Sequence, residues 1–166
     1  MFNKKMKEMK LNYLFPHKWR KIGWIVFIPS MVFGLITIIT EYEPGFLDMR
    51  VPGIFIDEIL GKSRVIGFTT NNILNELLGA MVIISGLLVA FSKEKNEDEL
   101  ISKIRLESLV WATYVNYGIL LLSIIFVYGL SFFWVMVFNM FTILLFFIIR
   151  FNWQIKLLNK DSAYEE

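Results

Sequence analysis

Apolar residues run almost unbroken through four stretches of the chain, residues 22–40, 72–91, 109–130 and 132–150, and polar residues gather between them. A bilayer core of about 30 Å takes roughly 20 helical residues to cross, so each stretch predicts a transmembrane helix. The second is marginal. Its purely apolar part, residues 77–91, spans only about 22 Å at 1.5 Å per residue, so residues 72–76 are expected to join it and carry Glu76 into the span. The expected fold class is an all-α membrane protein: a single domain, 1–166, of four transmembrane helices in an antiparallel bundle.

Between the first two spans, residues 41–71 form a structured outer loop. Two β-prone runs there, 51–56 and 65–70, flank "DEILGKSR" and predict a small β-hairpin. Between the second and third, "NEDELISKIRLES" reads as a helix start. Asn96 and Glu99 have capping-box spacing, Glu97 and Asp98 suit the positive end of the helix dipole, and Glu99, Lys103 and Glu107 are successively four apart. No breaker follows, so one helix over 97–130, about 50 Å long, is expected to project a helical extension, 97–108, beyond the membrane. Leu100, Ile101 and Ile104 make an apolar stripe on that extension, to be covered by the N-terminal segment or to dock a cytoplasmic partner.

Within the spans, the polar residues fall on faces. Asn72, Asn75, Glu76 and Gly79 share one side of a helix at i, i+3, i+4 and i+7. Thr113, Asn116, Leu120, Ser123 and Val127, and likewise Val135, Asn139, Thr142, Phe146 and Ile149, follow alternating steps of three and four. The last two helices, joined by a turn at residues 130–132, should therefore pack as a tight antiparallel hairpin. Counting depth at 1.5 Å per residue brings Thr37 and Ser123 to about the level of Glu76, with Asn139 about one turn deeper, and a polar intramembrane cluster of these residues with Asn75 is expected there. Two readings of Glu76 stand: an interfacial acid held by Asn and Thr donors, or a buried group that exchanges a proton or binds a cation.

Charge adds an orientation. Seven lysines and arginines precede the first span, four separate the second from the third and three follow the fourth, against three in residues 41–71. The positive-inside rule then puts both termini in the cytoplasm, and the tryptophans fall at span ends, as an aromatic belt requires. The first span lacks a small-residue cleavage pattern and reads as a retained anchor, with Pro29 expected to kink it. The chain has no cysteine, and its one histidine, His17, lies among Lys18, Arg20 and Lys21. Thiolate metal sites and thiol nucleophiles are thereby excluded. No phosphate loop, dinucleotide turn, His-Glu metal motif or nucleophile elbow occurs, so no catalytic residue, metal or cofactor is assigned. The basic run "NKKMKEMK" is explained by topology and anionic lipid rather than by nucleic acid.

The segments "SKIRLESLVWATYVNYGILLL" and "VMVFNMFTILLFFIIRFN" resemble those of small four-span bacterial inner-membrane proteins. Some proteins of this type are encoded beside a helix-turn-helix regulator, and the resemblance implies a membrane-bound sensing or regulatory role. Two functions follow as expectations. One is a non-enzymatic interaction module that assembles with itself or a cytoplasmic regulator. The other is an oligomeric channel or transporter for protons, cations or a small solute along Asn75, Glu76, Asn116, Asn139 and Thr142.

Overall fold

The computed structural model describes residues 13–56 and 64–162; the basic run 3–10 and the hairpin tip 57–63 lie outside them. Among the described residues the element order is α1 (Lys18–Thr40), a single 3-10 turn (Gly45–Leu47), β1 (Asp48–Ile56), β2 (Arg64–Asn72), α2 (Leu74–Ala90), α3 (Glu99–Phe126) and α4 (Leu130–Ser162). Three helices, α1, α3 and α4, are long and apolar enough to cross a membrane, with mean hydropathies of 2.3, 1.8 and 2.5. Their apolar side chains point outward: Ile25, Phe33, Ile39, Leu121, Ile124 and Met140 are all exposed. Exposure on that scale is costly in water and favourable in hydrocarbon.

Helix α2 is shorter than expected, with 17 residues that reach about 25 Å. Its start moves because Asn72 ends β2 instead of opening the helix. The Asn72 amide donates to the carbonyl of Pro44 at 2.8 Å and to Asp48 at 2.7 Å, and its oxygen accepts from the Leu74 N–H at 3.2 Å. An Asn whose side chain bonds the backbone two residues on favours a turn over a helix interior. The helical face expected to join Asn72 to Asn75, Glu76 and Gly79 therefore lacks its first member.

The described residues form two compact units, one of them Val26–Val82 and the other made of the chain before and after it. In the first, β1 and β2 pair antiparallel in the register Asp48 to Asn72, Pro52 to Phe68 and Ile54 to Ile66. The hairpin expected from its two β-prone runs is thus present, with longer strands. Pro52, Ile54, Ile66 and Phe68 are exposed on one face, while Val51, Gly53, Gly67 and Thr69 on the other are half-buried. Helix α1 runs unbroken through Pro29 and ends where Glu41 takes a φ of 51°.

In the other unit, α3 and α4 pack antiparallel. Trp111 meets Phe146, Asn116 meets Asn139, and Arg105 meets Phe151, so positions rising along one helix pair with positions falling along the other. The connecting turn lies at residues 127–129 rather than 130–132. Gly129 has a φ of 68°, a conformation glycine adopts without the Cβ penalty of other residues. The seam departs from expectation past Phe146, where Ile149 is 62% exposed and Phe147, Ile148, Phe151 and Ile155 are buried instead. Phe91 stacks on Phe147 and Phe147 on Phe151, with centroids 5.4 and 5.8 Å apart. Two further boundaries shift. Helix α3 starts at Glu99 with Asp98 as its cap, since the Asp98 carboxylate accepts the Ile101 N–H at 2.8 Å. Helix α4 continues well past residue 150 and, with 33 residues, is about 50 Å long.

Candidate functional site

In the unit that holds α3 and α4, charged side chains concentrate at one end of the helix pair, where the start of α1, the α2–α3 connection, the first turns of α3 and the overhanging part of α4 meet. The N-terminal strand-like segment is tied in by backbone. Phe15 donates to the Phe91 carbonyl and accepts from the Lys93 N–H, both at 2.9 Å, making a parallel bridge to Ser92. His17 adds a bond from its Nδ1 to the Lys93 carbonyl oxygen, also at 2.9 Å. Gly23 permits the next contact, since a Cβ there would lie 3.1 Å from both the Leu88 Cβ and the Ser85 carbonyl.

Arg105 is the centre of the site. It is 3% exposed and occupies an α3 stripe otherwise made of Ile101, Ser108, Ala112 and Asn116. Its guanidinium grips Glu97 with both terminal nitrogens, at 2.7 and 3.1 Å. It also donates to the Ser92 carbonyl at 3.3 Å and lies 4.9 Å from the Phe151 ring centroid. Bidentate pairing of this kind suits the planar fork of arginine. Glu97, expected in the helix, is outside it because its carboxylate turns to Arg105 and to the Glu94 N–H at 2.8 Å. A second pair, Arg20 with Glu94, lies alongside, and Arg20 also donates to Asn152 at 2.6 Å. Asn152 in turn donates to the Ile148 carbonyl at 2.7 Å. The network joins residues from α1, the connection, α3 and α4, with most of its acids and bases engaged with one another. The Glu94 Oε1, Arg105 Nε and Ser108 Oγ atoms are buried without a hydrogen-bond partner among the described residues.

A third arginine is held differently. Arg150 lies 4.7 Å from the Trp111 ring centroid and has no carboxylate partner among the described residues.

The residues picked out by sequence fall elsewhere. Glu76 is exposed in the first turn of α2 and accepts from the Asn71 amide at 2.7 Å. Asn75 is exposed beside it. Thr37 is buried and its hydroxyl donates to the Gly34 carbonyl; Ser123 and Thr142 likewise donate to carbonyls of their own helices. Asn116 and Asn139 are brought together at 3.2 Å. Of the expected docking stripe, Leu100 is exposed, Ile104 half-buried and Ile101 buried, so Ile101 is spent on the protein's own packing. Sequence reasoning counted Arg105 and Arg20 only as charges, placed Glu97 at the helix start and did not use Glu94. The one local signal was Arg105 itself, a cation four residues after Ile101 on the buried stripe. No family model matches the chain, nor does any curated protein or solved structure.

Proposed function

We propose that the protein is a multi-pass inner-membrane interaction or regulatory module, non-enzymatic, with both termini cytoplasmic, that presents its charged end to a second copy or to a cytoplasmic regulator. The observation that carries this reading is the Arg105–Glu97 and Arg20–Glu94 network. Its charged groups fix the α2–α3 connection to α1 and α3, an arrangement suited to holding a surface in shape rather than to turning over a substrate. Helices α3 and α4 are about 42 and 50 Å long, so both outrun a 30 Å core and lift that surface clear of the membrane. Leu100, Leu106 and Leu157 are exposed on it. The excess of lysine and arginine at this end supports a cytoplasmic assignment. The transport alternative has less support: Glu76 is exposed and bonded to Asn71, and Asn139 donates to Asn116.

A photo-crosslinking residue at Leu100, activated in intact cells, tests the proposal. Adducts with a cytoplasmic protein or with the chain itself are expected; adducts with lipid alone would overturn it. Because the chain has no cysteine, orientation is read separately. Lys103→Cys should react with an impermeant maleimide only in inside-out vesicles and Gly45→Cys only in right-side-out ones. The reverse pattern would invert the topology.

A further inference from the structure

The three arginines at the charged end differ in what answers their charge. Arg20 has Glu94 and Arg105 has Glu97, each as a close ion pair. Arg150 has only the face of Trp111. Its Nε is buried without an acceptor, and no described carboxylate or carbonyl receives its other nitrogens. The nearest acid along α3, Glu107, is directed to Lys103 at 3.9 Å. An arginine held over an indole and lacking an anion is a preorganised half of an anion site, because the ring fixes the guanidinium while its terminal N–H groups have no acceptor among the described residues.

Depth identifies the anion. Residues 130–149 of α4 are apolar apart from Ser131, Asn139 and Thr142, and 20 helical residues span about 30 Å, the thickness of the hydrocarbon core. Arg150 is the next residue, at the level where phospholipid phosphates lie. Trp111 and Trp153 are exposed at the same end, where interfacial tryptophans sit among headgroups. We infer that Arg150, seated on Trp111, binds the phosphate of a phospholipid in the adjoining leaflet through its guanidinium edge. Phe146, one turn away on α4, meets the Trp111 ring edge-on at 6.3 Å and fixes its orientation. This site does not depend on the docking role proposed above, and either can fail alone.

Native mass spectrometry of the full-length protein in detergent tests it, with phosphatidylglycerol and phosphate-free diacylglycerol as probes. Retention of phosphatidylglycerol at least about tenfold above diacylglycerol is expected, as removal of a charge-assisted hydrogen bond costs about tenfold or more. Arg150→Gln should abolish that preference. Arg150→Lys, which keeps the charge and loses the fork, should weaken it severalfold, and Lys156→Gln should leave it intact. Equal loss with Lys156→Gln would mean diffuse attraction and overturn the inference, as would unchanged retention in Arg150→Gln. Displacement of the lipid by millimolar inorganic phosphate would also overturn it, showing a site for a free anion.

Discussion

Exchanging Glu97 for Gln leaves Arg105, whose side chain is 4% exposed, without the carboxylate that both of its terminal nitrogens hold. Removing one partner of a buried pair costs about 3–5 kcal/mol; Glu97 itself is 19% exposed, so the lower end, about 3 kcal/mol, applies. The complementary change, Arg105→Met, keeps an apolar stem against Phe151 and strands Glu97, which reaches water more easily. That loss should be about 1–2 kcal/mol. The double variant has neither charge and should return to within about 1 kcal/mol of the parent, giving a coupling energy of about 3–5 kcal/mol. Reversible unfolding in mixed micelles, followed by circular dichroism, measures all four corners of the cycle. Raising the salt to about 1 M should change the coupling little, because buried pairs are weakly screened. Single variants that cost under about 0.5 kcal/mol each and add would refute the burial argument, and a larger loss for Arg105→Met than for Glu97→Gln would refute the asymmetry.

Other outcomes follow from the same geometry. Asp98→Ala should cost about 1 kcal/mol by removing the α3 cap, and hydrogen exchange should quicken in the first turn of α3 while the rest of the helix is unchanged. Gly23→Ala should destabilise by about 1–2 kcal/mol because its Cβ meets Leu88 and Ser85. Gly118→Ala, where a Cβ meets nothing within 4 Å, should stabilise by up to about 1 kcal/mol; the two are compared by thermal melts in one detergent. Asn116→Val and Asn139→Val should couple by about 0.6 kcal/mol in a double-mutant cycle, the scale of interhelical hydrogen bonds in membranes. No coupling would mean that the pair is not formed in a bilayer.

The helices were legible because their pattern records the solvent. A long run such as residues 130–149 has few alternatives to a span, and the hairpin was visible in two β-prone runs with a polar break between them. Boundaries were less legible where a side chain competes with the helix for backbone. Asn72 looks like the first residue of a helical face until its amide is seen bonding Pro44 and Asp48. Asn96 has the capping-box spacing, yet Asp98 caps α3, and Glu97 turns to Arg105 instead of entering the helix. The overhang of α4 went unread with the fourth span ended at residue 150, although Phe147, Phe151 and Ile155 continue past Arg150 at intervals of four.

The charged network left no trace beyond Arg105 on its stripe, and the reason is physical. An ion pair is specified by where two elements meet, and Arg20 and Glu94 come from the start of α1 and from the α2–α3 connection. Counting lysines and arginines treats each as a solvated charge, which is the right default for exposed residues such as Lys103. Arg105 departs from that default because the stripe it occupies must be covered, and an arginine under cover needs an acid brought to it. Seen this way, the sequence "NEDEL" is less a helix start than the source of that acid. The Glu94 and Glu97 carboxylates reach back to two helices, and only after Glu97 has turned can the chain begin α3. Placement of the connection is therefore coupled to the burial of Arg105, so a substitution at Glu97 should be felt at Phe15 and Ser92 through the backbone bridge as well as at Arg105.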